Sequence, residues 1–243
     1  MTFKDGIAKE DKKITSFLIA GQSNMAGRGN LNEIPPFENE LCFMLRMGRW
    51  QPMSEPVNAD RAGSGVGLAS RFAVEFADLY KKETGIIPCA DGGTAISQWQ
   101  PGEVLFDHAV MMTRLAMRSS SLGGILWHQG ENDACNSTPV EEYERMLINT
   151  LTSLRRELGA EDLPIIMGEL SYNMNLTYHQ WATEDVIKKY NDIIYKVSEI
   201  LPCCAVASAK GLAVKPEDGI HFTSASFQEF GRRYFEKYKE LTK

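Results

Sequence analysis

The 243-residue chain is expected to fold as a three-layer α/β/α sandwich around a five-stranded parallel sheet, and three observations carry that expectation. Short runs that are apolar throughout, rather than alternating, recur along the chain, which is the pattern of strands covered on both faces. Longer runs with apolar residues at helical spacing lie between them. The two kinds alternate, which places helices on both sides of a parallel sheet.

The first strand is expected at 14–20, the run ITSFLIA, and it leads directly into GQSNMAGRG at 21–29. A helix at 68–84 carries Leu68, Phe72, Phe76 and Leu79 on one face, and a strand follows at 86–90. A helix at 105–119, with Val110, Leu115 and Met117 among its apolar positions, precedes a strand at 125–128. The helix at 141–158 then leads to a strand at 164–170, and the helix at 184–201 to a strand at 203–208, before a last helix at 225–241. Thr138-Pro139 and Thr183, each followed by early acidic residues, read as helix starts, while Gly85 and Gly159 read as helix stops. Residues 30–67, rich in Pro, Asn, Glu and Gly, are too long for an ordinary connection and read as a functional surface loop. No repeat, low-complexity tract or linker divides the chain, so residues 1–243 are read as one domain.

Composition narrows the function. A formal net charge of −6 argues against nucleic acid or an anionic membrane as partner, since both need a clustered basic face. No stretch approaches the roughly 20 apolar residues that span a bilayer. Five cysteines without paired short spacings, two of them adjacent at Cys203-Cys204, give no disulfide framework and read as reduced core residues. The polar stretch from Met1 to Lys13 is no secretory signal, so the chain as written is expected in the cytoplasm. Oligomeric state leaves no mark in the sequence.

In an open parallel sheet the ligand crevice lies outside the carboxyl ends of the strands, so residues just after each strand carry the most weight. Four such positions hold polar clusters: Ser23 after the first strand, Asp91-Gly92-Gly93-Thr94 after the second, His128-Gln129-Gly130-Glu131-Asn132-Asp133 after the third, and Asp218-Gly219-Ile220-His221 on the loop after the fifth. Singly, each reads as a turn or a helix cap. Together they supply a Ser/His/Asp set, with Ser23 as nucleophile, His221 as base and Asp218 as the group that orients the imidazole and stabilises its charged form. The chain reads as a serine esterase.

GQSNMAGRG, Pro88-Cys89-Ala90-Asp91-Gly92-Gly93-Thr94, Trp127-His128-Gln129-Gly130-Glu131 and Asp218-Gly219-Ile220-His221-Phe222 closely resemble the SGNH-hydrolase branch that holds sialate O-acetylesterase-like and acetylxylan-esterase-like carbohydrate esterases. The resemblance spans residues 14 to about 235. It implies a flavodoxin-like sandwich that removes O-acetyl groups from sugars without metal or cofactor. The oxyanion donors expected are the backbone amides of Ser23 and Gly93 and the side-chain amide of Gln129. The wider SGNH class carries a Gly-x-Asn-Asp block, which Gly130-Glu131-Asn132-Asp133 matches, so Asn132 is the rival to Gln129.

Glu131 either holds the catalytic loops by hydrogen bonds or replaces Asp218 as partner of His221, and the supporting role is preferred. His128 reads as strand-end packing, and the scattered histidines give no metal site. Trp99, Trp50 and Trp181 are core residues by default; Trp99, close behind Gly93-Thr94, is the best candidate to stack on a sugar. The glycine-rich 63–67 segment lacks phosphate-loop spacing and reads as a helix-entry loop lining the crevice. Alternatives are a lipase or thioesterase of the same class, which needs an acyl tunnel, and a non-catalytic carbohydrate-binding or nucleotide-binding protein, which has no use for the Ser/His/Asp set. Which acetylated sugar is the substrate, xylan, sialic acid or a short oligosaccharide, stays open.

Overall fold

The structure, a computed structural model, describes residues 13–35, 38–174 and 183–243. The chain opens with strand β1 (Ile14–Gly21) and a single helical turn α1 (Ser23–Ala26), then forms a hairpin of β2 (Cys42–Arg46) and β3 (Arg49–Pro52). Helix α2 (Leu68–Tyr80) leads to β4 (Thr84–Pro88), and α3 (Val104–Ala116) to β5 (Ser120–His128). A short α4 (Glu131–Cys135) and the long α5 (Val140–Leu158) precede β6 (Ile165–Gly168); α6 (Glu184–Ile200) precedes β7 (Cys204–Ala207), and α7 (Ser224–Leu241) ends the chain. Among the described residues no helix is long and apolar enough to cross a membrane.

The strands form one sheet in the order β3-β2-β4-β1-β5-β6-β7. All neighbours are parallel except β2 and β3. The α/β sandwich is as expected, but the sheet has seven strands rather than five. The two extra strands lie inside the 30–67 stretch read as a loop. The edge strand β3, RWQP, has no residue fully buried, whereas β2, CFMLR, is short and ends in Arg46 but is buried at Cys42, Met44 and Leu45.

Successive side chains of a strand point to opposite faces, so one continuous apolar run feeds two cores. Leu18 and Ala20 of β1 join Ile125 and Trp127 in a core roofed by α3, α5 and α6. Phe17 and Ile19 join Leu126 and Ile166 under α2 and α7, whose Phe72, Phe227, Phe230 and Tyr234 are fully buried.

Helix ends depart from expectation in two places. Helix α2 stops at Tyr80, with Lys81 left-handed at φ 52°, and the expected stop residue Gly85 lies inside β4. Thr138 does not cap α5; its hydroxyl donates to Asp133 Oδ1 at 3.0 Å. Gly159, at φ 63°, ends α5, and Thr183 caps α6 by accepting from the Val186 N–H at 3.3 Å.

The central position of β1 positions the site. β4, inserted between β2 and β1, lies on one side of β1, and the chain then crosses to the other side and runs outward through β5, β6 and β7, which makes the carboxyl end of β1 a topological switch point where α/β folds open their crevice.

Candidate active site

The turn out of β1 is built for close approach. Gly21 sits at φ 122°, and a Cβ there would lie 2.1 Å from the His128 carbonyl oxygen, so only glycine lets β1 and β5 end side by side. The next residue, Gln22, donates its N–H to that same carbonyl at 2.8 Å. Its side-chain Oε1 accepts from the N–H groups of Asn132 and Gly130, at 3.2 and 3.4 Å, and so ties the Ser23 turn to the turn after β5.

Ser23 is the first residue of α1. Its Oγ lies 2.9 Å from His221 Nε2, and His221 Nδ1 lies 3.0 Å from Asp218 Oδ2. Residues 198 positions apart in sequence thus form one hydrogen-bonded chain. Asp218 is fixed from within its own loop: Oδ1 accepts the N–H groups of Ile220 and His221 at 3.0 and 2.9 Å. Burial pushes its carboxyl up, but those two amides and the imidazole outweigh it and hold the group below the usual carboxylate value. Lys215 Nζ stands 3.4 Å from Asp218 Oδ2.

Glu131 meets a different histidine. It is 2% exposed, and its Oε1 contacts His128 Nε2 at 2.8 Å and accepts from Asn24 Nδ2 at 2.6 Å. Tyr234 donates its hydroxyl hydrogen to the Trp127 carbonyl at 2.9 Å, so at 3.3 Å His128 Nδ1 is the donor to Tyr234. Burial raises the Glu131 carboxyl, while His128 and the Asn24 amide lower it further, leaving it below its ordinary value. Asn24 completes the link: it also donates to the Ile220 carbonyl at 3.3 Å and accepts from the Phe222 N–H at 3.2 Å, so the loop bearing His221 is clasped to the helix bearing Ser23. Of the two roles open for Glu131, the geometry matches the one that holds the loops, through Asn24; the carboxylate on His221 is Asp218.

The oxyanion candidates are distributed differently from the expectation. The N–H groups of Ser23 and Gly93 have no acceptor among the described residues. Gly93 is left-handed at φ 74°, with nothing within 4 Å of where a Cβ would stand, so its α-carbon faces open space. Gln129, the side-chain donor first preferred, is 1% exposed, and its two amide hydrogens point at Asp133 Oδ2, 2.5 Å away, and the Thr94 carbonyl, 3.0 Å away. With both hydrogens committed to buried acceptors, Gln129 holds the turn rather than facing the crevice. Asn132 is the better placed amide: Nδ2 gives one hydrogen to the Gly93 carbonyl at 2.6 Å and keeps the other, while Oδ1 accepts from Asn136.

Trp99 is no sugar platform. It is fully buried, packs edge-on against Trp127 and donates to Thr94 Oγ1 at 3.0 Å. Trp50 packs over Gly85 at the amino end of β4, the opposite end of the sheet from Ser23. Trp181 lies outside the described residues. The 63–67 segment does line the Ser23 turn: Val66 bridges Gly29, and Gly65 donates to the Gly27 carbonyl at 3.1 Å.

The sequence assigns no role to four residues that shape the site: Gln22, Asn24, Asp60 and Asp133. Asp60 accepts two bonds from Arg28, at 2.6 and 3.0 Å, and one from the Gly92 N–H at 2.8 Å, which fixes the turn that carries Gly93. Asp133 accepts the Ile96 N–H at 2.9 Å besides Gln129. Gln22 and Asn24 flank Ser23 in a motif already singled out, and two buried amides beside a nucleophile were the available signal.

Comparison with known proteins gives the family and the fold. A family model described as "Carbohydrate esterase, sialic acid-specific acetylesterase" matches residues 13–240. A probable carbohydrate esterase of Arabidopsis thaliana is 28% identical over 237 residues, covering 88% of this chain and 86% of that protein. An X-ray structure of an Arabidopsis thaliana protein superposes with a TM-score of 0.80 at 26% identity, over 93% of this chain and 98% of that one. At the level of fold, a carbohydrate acetylesterase from Xanthomonas citri matches with a TM-score of 0.64 at 16% identity, over 93% of this chain and 56% of that one. A lipase/acylhydrolase from Enterococcus faecalis matches with a TM-score of 0.57 at 17% identity, over 93% of this chain and 96% of that one.

Proposed function

The chain belongs to the sialic acid-specific acetylesterase family of carbohydrate esterases, and on that premise we propose that it removes O-acetyl groups from sugars through Ser23, His221 and Asp218. That it is a carboxylic ester hydrolase follows from the family. The observation that supports these three residues is the unbroken hydrogen-bonded chain from Ser23 Oγ through the imidazole to Asp218.

Ser23 Oγ attacks the acetyl carbonyl while His221 Nε2 takes its proton, and Asp218 Oδ2, on Nδ1, stabilises the imidazolium. The tetrahedral oxyanion is met by the N–H groups of Ser23 and Gly93 and by the remaining hydrogen of Asn132 Nδ2. Collapse expels the sugar oxygen, which receives the proton from Nε2 as it leaves. Water, deprotonated by the same nitrogen, then attacks the acetyl-serine and releases acetate.

The cations around Ser23 favour a neutral sugar over an acidic one. Arg28 is paired with Asp60, Arg61 with Asp91, and Lys215 with Asp218 and Glu217. A carboxylate on the substrate would compete with the carboxylates that already neutralise these cations. The test is a panel of acetylated xylo-oligosaccharides and acetylated sialic acid, with acetate release followed by mass spectrometry, alongside fluorophosphonate labelling of Ser23. Labelling at another serine rejects the nucleophile, and a higher kcat/KM on the sialic acid ester rejects the neutral substrate.

A further inference from the structure

A second cleft, of about 550 Å³, opens at the carboxyl ends of β6 and β7. It lies on the same edge of the sheet as Ser23 because β1, β5, β6 and β7 are parallel neighbours. Three strand spacings separate β1 from β7, roughly 14 Å. Its volume is within the ~300–1,000 Å³ of small-molecule sites.

The lining is unusual for an incidental groove. Glu169 sits at its base, 5% exposed, with Oε2 accepting from Ser208 Oγ at 2.7 Å and the Ala209 N–H at 2.8 Å, and Oε1 accepting from the Tyr172 hydroxyl at 3.0 Å. Three donors fix the carboxylate and leave acceptor capacity, since a carboxylate takes about four. Tyr172 and Tyr195, 37% and 38% exposed, flank it with ring surface. Asn173 and Lys210 complete the wall. Asn173 Nδ2 donates to the Leu212 carbonyl at 3.1 Å, at the start of the segment that runs on to Asp218 and His221. Aromatic faces beside a fixed acceptor and amide donors are what a sugar ring requires, with apolar C–H faces and hydroxyls at its rim. The buried carboxylate at the base disfavours a phosphate or a carboxylated sugar on the cleft floor, with the one lining cation, Lys210, at the exposed rim.

We propose that this cleft is a glycan subsite, which holds a neutral sugar ring of an oligosaccharide whose acetylated residue lies at Ser23. The inference rests on the esterase reading of that site. Tyr172→Ala and Tyr195→Ala should each raise KM for an acetylated xylo-oligosaccharide by about tenfold, an ordinary loss for a truncated aromatic contact. Both variants should leave kcat/KM for p-nitrophenyl acetate within about twofold of wild type, because that ester does not reach the cleft. Equal losses on both substrates would mean the tyrosines only support the fold, and an unchanged KM on the oligosaccharide would mean the cleft is unused; either overturns the proposal. Calorimetry on Ser23→Ala with deacetylated xylo-, manno- and gluco-oligosaccharides separates the two readings. Binding of one of them that is lost with Tyr195→Ala supports the subsite even if the wild type hydrolyses no acetyl sugar, and no binding across the panel overturns it even if it does.

Discussion

At the scale of single residues, two side-chain amides compete for one role, and their hydrogens decide between them. Gln129 gives both of its hydrogens to Asp133 and Thr94 inside the protein, whereas Asn132 gives one to Gly93 and keeps one. Asn132→Ala should therefore lower kcat by roughly 100- to 1,000-fold with little change in KM, the mark of a donor used in the transition state. Gln129→Ala should act on the fold instead, lowering the melting temperature because Asp133 loses a buried donor. Steady-state kinetics and thermal melts of both variants check this, and a large kcat loss confined to Gln129→Ala would reverse the assignment. The two carboxylates divide in the same way. Asp218→Asn should cost on the order of 1,000- to 10,000-fold in kcat, since the imidazole loses its orienting acceptor. Glu131→Gln, which leaves an oxygen for Asn24, should cost far less; equal losses in the two variants would place Glu131 on the proton path.

At the scale of elements, the site is held where three of them meet, and Asn24 is the clasp. It joins α1 to α4 through Glu131 and to the 220–222 loop through Ile220 and Phe222. Asn24→Ala frees that loop, and a displacement of His221 by about 1 Å is enough to lose on the order of 100-fold in rate. The expected signature is slower fluorophosphonate labelling of Ser23 in parallel with kcat; labelling at the wild-type rate would show that the loop holds without the clasp. The same elements show how far the sequence is readable. The parallel strands were legible because burial on both faces makes them apolar throughout, as in ITSFLIA. The β2–β3 hairpin was not: β3 is a half-solvated edge strand whose Arg, Trp and Gln residues look like a loop, and the buried β2 contributes an apolar run of only four residues, Cys42 to Leu45. That Ser23, Asp218 and His221 come together was legible because each lies in a short local motif at the carboxyl edge of the sheet. The choice between Asn132 and Gln129 was not, because it depends on acceptors brought in by Thr94 and Asp133 from other turns. The wrong sugar platform, Trp99, followed from the same limit, since sequence proximity to Gly93 says nothing of which way the ring turns.

At the scale of the whole molecule, the segment between the hairpin and α2 wraps the Ser23 turn, and a half-buried carboxylate anchors it. Glu55 Oε1 accepts from Ser70 Oγ at 2.5 Å and Oε2 from the Val57 N–H at 3.1 Å. Burial raises its carboxyl from 4.5 to about 6, against the opposing effect of these bonds. A group that holds its proton more tightly when folded stabilises the fold most below its unfolded value and loses that contribution as pH rises through its folded one. The window is therefore pH 4.5 to about 6, and the loss is on the order of 2 kcal/mol for a shift of this size. Asp60 works in the opposite sense. Burial raises it, but Arg28, Ser64 and the Gly92 amide hold it below 3.8, so its contribution is present near neutrality and disappears only as pH falls through the depressed value. The two windows do not overlap, which lets Glu55 be isolated. Urea denaturation of wild type and Glu55→Gln from pH 4 to 7 should show the wild type losing about 2 kcal/mol relative to the variant as pH rises through the Glu55 window, with no further divergence above it. A constant difference across that range would mean that Glu55 titrates in the folded protein as it does in the unfolded chain, and the segment over the Ser23 turn would then owe nothing to its proton.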